Sequence, residues 1–211
     1  MLNVSTLVFG LVVATSLSSA AQASVGWILG TGAPPIQVGP LKLTPFDPDP
    51  TPEFDFVNSV ASPLGGDVGF SEGLEHVIVP FSWGSWSHDY EGDAYALGPQ
   101  SFSVTLTLPA GTGAFVFYAE PATLQLEGFA IIETSSLAPI LVDIDGNGGA
   151  TGFAFLTTSS GGLGEITISA SAPFAIGEFL IAAVPETSSG SAVALMAAGA
   201  GLLAWRRRRV A

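Results

Sequence analysis

The chain of 211 residues contains no cysteine. This absence excludes disulfide bonds, thiolate zinc sites and catalysis by a thiol. The fold must therefore draw its stability from packing, with bound cations as the one other source to consider.

Positive charge is also scarce, because 5 basic residues face 18 acidic ones and the formal net charge is −13. Four of the five basic residues are Arg206, Arg207, Arg208 and Arg209, which leaves Lys42 as the only one elsewhere. A strongly acidic surface repels phosphate backbones and anionic headgroups. We therefore expect no nucleic-acid partner, and metal cations or neutral polymers fit the charge better.

Helical periodicity is missing between the two ends of the chain, where short apolar runs alternate with Gly, Pro, Asn and Asp. Hydrophobic residues make up 48% of the chain and charged residues 11%, while glycine (26) and proline (15) are frequent. Such a composition supplies a core together with many turns. It predicts a single all-β domain.

The clearest strand pattern lies at residues 101–108, where Phe102, Val104, Leu106 and Leu108 alternate with polar residues. This period of two buries one face of a strand and exposes the other. Comparable runs predict further strands at residues 54–60, 75–83, 114–119, 123–133, 152–157, 165–170 and 175–182.

Some nine to eleven closely spaced strands are typical of a sandwich or barrel. We expect a single β-sandwich of jelly-roll type over residues 24–183. Its segment 33–52 is rich in proline, which cannot donate to a strand ladder. That segment should be extended chain that lies over the sandwich.

The N-terminus carries an apolar run at residues 7–17, followed by small residues and the triplet Ala21-Gln22-Ala23. Small side chains at the first and third positions of such a triplet fit signal peptidase. We predict a signal peptide at residues 1–23, cleaved after Ala23. The alternative is an uncleaved N-terminal anchor.

The C-terminus begins with a short motif at residues 184–189, whose first four residues are Val184, Pro185, Glu186 and Thr187. An uncharged apolar run at 190–205 follows, and then the arginines at 206–209. The run is slightly shorter than the roughly 20 residues that span a bilayer, but arginines can extend to the interface. We predict a transmembrane helix with the arginines as its cytoplasmic anchor.

The motif, the apolar helix and the arginine cluster together resemble the PEP-CTERM sorting signal, which the membrane protease exosortase handles in that family. Thr187 stands where the family usually has a second proline, so the motif is a Pro-Glu-Thr variant. The resemblance implies a protein of the cell envelope or the extracellular matrix, in bacteria that make exopolysaccharide. It implies no catalytic chemistry, and a plain single-span anchor is the alternative.

Asp89, Glu91 and Asp93 are the first candidate metal ligands. At spacings of two residues they would share one face of a strand and repel each other unless a cation lay among them. Calcium prefers several carboxylate and carbonyl oxygens. The alternative is a solvated turn in which water screens the charges.

Asp143, Asp145 and Asn147 form a second candidate calcium set, followed by Gly148. They reproduce the first positions of an EF-hand loop, but Ala154 stands where the bidentate glutamate belongs, which excludes an EF-hand. A β-hairpin loop is the default interpretation, with a sandwich-type calcium site as the alternative.

Two further patterns suggest chemistry. Residues 69–73 match the Gly-x-Ser-x-Gly pattern of a nucleophile elbow, but a strand follows where the elbow needs a helix. Trp83, Trp86 and Tyr90 could present aromatic rings to a sugar, although Trp83 and Trp86 would lie on opposite faces of one strand.

We therefore expect a non-enzymatic surface or matrix protein that is exported, and then membrane-anchored or released. One alternative is a module that binds calcium, exopolysaccharide or both. A second is a glycoside hydrolase with paired carboxylates, which needs one acid of raised pKa beside an ionised one.

Overall fold

A computed structural model of the protein describes residues 24–122, 128–134 and 137–185. The all-β prediction is confirmed, since these ranges contain fourteen strands and no helix. The strands are β1 (Ser24–Gly30), β2 (Gln37–Val38), β3 (Leu41–Lys42), β4 (Thr44–Pro45), β5 (Phe56–Ala61), β6 (Asp67–Val79), β7 (Gly92–Ala96), β8 (Ser103–Thr107), β9 (Thr112–Pro121), β10 (Gly128–Thr134), β11 (Leu137–Ile144), β12 (Thr151–Thr157), β13 (Glu165–Ala170) and β14 (Phe174–Ala183). Within the same ranges no helix has the length and apolar character needed to cross a bilayer.

Twelve strands form one antiparallel sheet in the order β1-β12-β9-β14-β7-β6-β8-β13-β10-β11, with β4 and β5 attached to β14 and β6. The sheet curls until its two edge strands, β1 and β11, approach each other. At Gly26 on β1, a Cβ atom would lie only 2.8 Å from Ile140 Cδ1 on β11. The small residue thus allows the edges to meet through side chains.

Strands β8 and β13 have the burial that their sequence alternation predicts. Val104 and Leu106 on β8 are buried while Ser103 and Thr107 are exposed, and Ile166 and Ile168 are buried on β13. The prediction that Phe102 lies on the buried face is wrong. This residue precedes β8 and is 45% exposed, because the chain ahead of the strand does not continue its pleat.

Strand β9 is buried on both faces, so no alternation of polar residues marks it. Phe115 and Phe117 point into the main core. On the opposite face Val116 and Tyr118 form a second core, which the next segment covers.

The proline segment, defined as residues 33–52, lies over this second core. Its buried residues Val38, Leu41 and Leu43 pack there, and its strand β4 pairs with β14. The segment forms only two-residue strands, as expected where proline removes backbone donors.

Sequence reasoning missed three longer strands and placed one incompletely. The pattern of β7 is weak because its residues are Gly92, Asp93, Ala94, Tyr95 and Ala96, of which most are poor strand formers. Strand β1 follows directly on the predicted signal peptide, and β11 contains a proline, which is compatible with its edge position. Strand β6 begins at residue 67 rather than 75.

Candidate functional site

The loop between β6 and β7, residues 80–91, is called the tryptophan loop. It lies on the sheet near the proline segment, and one buried and one partly buried glutamate fix it there. Strand β9 supplies Glu120 and strand β14 supplies Glu178. The candidate site consists of these carboxylates, their partners and a cavity between the loop and the proline segment.

Glu120 is 1% exposed and accepts two hydrogen bonds from the loop. Trp83 Nε1 donates to its Oε2 at 2.6 Å, and Ser85 Oγ donates to its Oε1 at 2.8 Å. Burial raises the pKa of the Glu120 carboxyl, and the two hydrogen bonds lower it by less. A buried carboxylate of this kind is stabilised only while its donors remain in place.

Glu178 binds the other end of the tryptophan loop in the same way. Trp86 Nε1 donates to Oε2 at 3.1 Å, and His88 Nε2 lies 2.7 Å from Oε1. Burial raises the pKa of the Glu178 carboxyl, while the hydrogen bond and charge of His88 and the bond from Trp86 oppose that rise.

Backbone strain is concentrated at this second contact. Glu178, His88 and Asp89 have φ values of 53°, 45° and 55°, in the left-handed region that costs a non-glycine residue about 1–2 kcal/mol. Glu178 lies where the register of β14 shifts against β9. The Glu178–His88 contact therefore joins two strained segments, and such strain persists only where surrounding contacts determine it.

His76 on β6 joins the proline segment to the sheet and is 1% exposed. Its Nε2 lies 2.9 Å from Asp93 Oδ1 on β7, and its Nδ1 lies 2.8 Å from the Thr51 carbonyl oxygen. The other Asp93 oxygen accepts the Asp49 amide at 2.9 Å, and Tyr95 Oη donates to Asp49 at 3.0 Å. One buried imidazole thus connects two strands with the covering segment.

Opposing influences act on the pKa of the Asp49 carboxyl. Burial would raise its pKa, but hydrogen bonds from Thr51 and Tyr95 and the charge of His76 outweigh burial and lower it. Burial, followed by the nearby carboxylates, raises the pKa of the Tyr95 hydroxyl far above its ordinary value. Asp49 is therefore the ionised acceptor of the network and Tyr95 its neutral donor.

A cavity of about 180 Å³ separates the proline segment from the tryptophan loop. Asp47, Asp93 and Glu178 line it together with Tyr90 and other residues. Its volume is below the roughly 300 Å³ at which small-molecule pockets begin. The cavity is therefore smaller than a site for a drug-sized ligand.

The structure separates the first set of candidate calcium ligands. Strand β7 begins only at Gly92, so the expectation that Asp89, Glu91 and Asp93 share one strand face is wrong. Asp89 and Glu91 are exposed in the tryptophan loop, while Asp93 binds His76 and the amide of Asp49.

The second candidate set lies at the end of β11 and in the turn that follows. Asp143, Asp145 and Asn147 are all exposed, and the Asn147 amide donates to Asp145 Oδ1 at 2.9 Å. The hairpin interpretation is wrong, because β11 pairs with β10 whereas β12 pairs with β1 and β9. Throughout the described ranges, no three His, Cys, Asp or Glu side chains are grouped so that they could hold a metal ion.

The remaining sequence patterns have structural explanations. Residues 69–73 lie inside the continuous strand β6, where Ser71 Oγ accepts the Thr105 amide at 2.9 Å, so no strand-to-helix turn exists there. Trp83 and Trp86 lie in a loop rather than on a strand. Both rings direct their N–H groups to buried carboxylates.

Sequence reasoning did not identify His76, Glu120 or Glu178. A signal was nevertheless present, because Glu120 and Glu178 are single acids within otherwise apolar strands. A buried carboxyl requires donors, so an isolated acid in such a strand predicts a polar partner. The identity of that partner depends on long-range contacts.

The signal peptide at 1–23 with its cleavage site Ala23, the motif residues Glu186 and Thr187, the apolar run at 190–205 and the arginines lie outside the described residues. Val184 and Pro185 lie inside them. No protein family matches the chain, and no curated protein matches it.

Proposed function

We propose that the chain is an exported cell-surface or extracellular-matrix protein whose β-domain has a structural rather than a catalytic role. The observation that supports this best is the internal use of its polar groups. Glu120 and Glu178 bind tryptophans of the loop, and Asp93 binds His76. Side chains that could contact a substrate instead attach the covering segments to the sheet.

For the finer architecture we propose a β-sandwich of jelly-roll type. Its support is the main core, which Leu106 of β8 and Ile166 of β13 share with Phe117 of β9 and Ile176 of β14. The pair β9 and β14 is separated from the pair β8 and β13 by β7 and β6 in the strand order. Two facing layers would bring the side chains of these two pairs together, which supports the proposal.

The proposed localisation follows from the two ends of the sequence. Signal peptidase would remove residues 1–23, and an exosortase would act at the Pro185-Glu186-Thr187 motif while the helix at 190–205 lies in the membrane. The protein would then be anchored at the envelope or released to the matrix, where exopolysaccharide is the expected neighbour.

Processing can be tested by producing the full chain in a bacterium that has an exosortase and sequencing both ends of the product by mass spectrometry. We expect an N-terminus at Ser24 and loss of the arginine cluster. Glu186→Ala should keep the C-terminal segment and remain with the membranes, whereas Glu165→Ala, at an exposed position of the domain, should be processed normally. A product that begins at Met1 would contradict export by a cleaved signal.

Binding of calcium, with or without polysaccharide, is the alternative proposal. It is supported by the exposed oxygen ligands of Asp143, Asp145 and Asn147 on one turn. A ligand that binds only the native state raises the melting temperature by mass action. Millimolar calcium should then raise the melting temperature by several degrees, Asp145→Ala should abolish the rise, and no rise in the unsubstituted protein would eliminate this alternative.

A carboxylate-dependent glycoside hydrolase is the least supported alternative. Glu178, with its raised pKa, and Asp93 line the same cavity, but both carboxylates are already bound to side chains of the domain, Glu178 to Trp86 and Asp93 to His76. Release of reducing ends from the host exopolysaccharide, lost in Glu178→Gln, would restore this alternative.

A further inference from the structure

A groove with a volume of about 370 Å³ lies beside the proline segment and the end of β12. Its apolar wall consists of Pro40, Leu41, Leu156, Val184 and Pro185, and the hydroxyl-bearing residues 157–160 complete it. The lining contains no charged side chain, although the chain has 18 acidic residues. The groove is therefore an uncharged surface on an acidic molecule.

The chain both enters and leaves the domain beside this groove. Ser24, the first described residue, donates its hydroxyl to Thr157 Oγ1 at 2.9 Å, and Thr157 lines the groove. At the other exit the Val184 amide donates to the Gly111 carbonyl oxygen at 2.8 Å. The chain thus enters and leaves the domain at the same end, and hydrogen bonds fix both points.

The distance from this end to the predicted membrane helix is short. Residue 190 is six positions after Val184, and extended chain covers at most about 3.5 Å per position, or roughly 20 Å in all. The headgroup layer takes up about 5–8 Å of that distance on each side of a bilayer. The groove end of an anchored domain therefore lies next to the headgroups.

We propose that the end of the domain that bears this groove, called the groove end, is the membrane-facing surface of the anchored protein. The uncharged residues that line the groove would contact lipid headgroups. This inference rests on the proposed function, because it requires the C-terminal segment to be in the membrane. Apolar side chains and hydroxyl groups suit the interface between headgroups and acyl chains, whereas the acidic remainder of the domain is repelled by anionic lipid. The uncharged lining of the groove therefore favours contact between this end and the headgroups.

The absence of cysteine allows a direct test with single labels. Ser160→Cys places a fluorophore at an exposed position of the groove rim. Ala122→Cys is the matched control, since it is also exposed and follows the far end of β9, whose ten residues span about 33 Å. The protein with its C-terminal segment intact is reconstituted into phosphatidylcholine vesicles that carry a nitroxide quencher on the headgroup.

We expect several-fold stronger quenching of the Ser160 label than of the Ala122 label, and equal emission of both without nitroxide. Equal quenching of the two labels in protein that floats with the vesicles would overturn the membrane-facing assignment alone. Failure of the protein to float with the vesicles would instead contradict the predicted membrane helix at residues 190–205, which is part of the proposed function.

Discussion

The inner and outer layers of the domain are stabilised by different interactions. The main core is apolar, with Phe117, Phe153 and Ile176 fully buried. The outer layer, which comprises the proline segment and the tryptophan loop, combines apolar packing on the second core with polar contacts to His76, Glu120 and Glu178. Apolar packing tolerates many substitutions of similar volume, whereas a buried carboxylate needs its own donors, so these polar contacts are the more specific ones.

The largest effect is expected in the inner layer. Phe117→Ala removes a fully buried ring that stacks on Phe153 and Phe155, and such a change costs about 3–5 kcal/mol. Phe81→Ala, at a residue that is 85% exposed, should change the free energy of unfolding by less than about 0.5 kcal/mol. Urea unfolding of both variants measures the contrast, and equal losses would contradict the assignment of the core.

A smaller effect is expected for the outer layer. Glu120→Ala leaves the Trp83 N–H without its acceptor, which should cost about 1–3 kcal/mol. Glu120→Gln is the matched control, because its amide can accept from Trp83 and donate to the Ser85 hydroxyl, and it should lose less. The same urea titration applies, and a fully stable Glu120→Ala variant would show that this contact does not stabilise the outer layer.

The dependence on pH should distinguish the two layers, since Tyr95, the ionisable residue of the main core, has a raised pKa and stays neutral from acid to neutral pH. Glu120 and Glu178 have folded pKa values above the ordinary 4.5, so the native state keeps protons that the unfolded chain has released. Their contribution to stability is therefore present below about pH 4.5 and declines as pH rises through the folded pKa values.

This decline is measured by comparing the unfolding free energies of the unsubstituted protein and the Glu120→Gln, Glu178→Gln double variant from pH 4 to 7. The unsubstituted protein should lose stability relative to the variant as pH rises. Asp49 acts in the opposite sense, because its lowered pKa gives stability above its ordinary value of 3.8 that is lost at lower pH. A constant difference between the two proteins would contradict the raised pKa values.

The smallest effect is expected at the surface of the outer layer. Asp89→Gly relieves a positive φ at an exposed residue and should change stability by less than about 1 kcal/mol, in the stabilising direction. Glu91→Ala, also exposed, is the neutral control. Thermal unfolding without calcium measures both, and a marked loss at Asp89 would indicate a structural contact that the geometry does not contain.

Sequence patterns were informative about the inner layer. The alternation in β8 and β13 predicts which residues are buried because each strand has one face in the core. Strand β9 lacks such alternation since both its faces are covered, yet its apolar run still marks it as a strand.

The outer layer could not be predicted in the same way. Trp86 and Glu178 are 92 positions apart, and no local period relates them. The positive φ at Glu178 arises where β14 shifts its register, which depends on the neighbouring strands. Single acids in apolar strands indicate that a partner exists, and only the topology of the sheet identifies it.

The central claim, that hydrogen bonds between polar side chains attach the outer layer to the sheet, is tested most directly by a double-mutant cycle. Trp83→Phe removes the indole N–H and Glu120→Ala removes its acceptor, and urea unfolding gives the free energies of both single variants and the double variant. We predict a coupling energy of about 1–3 kcal/mol, the range for contacting residues. Losses that add to within about 0.3–0.5 kcal/mol would contradict the claim.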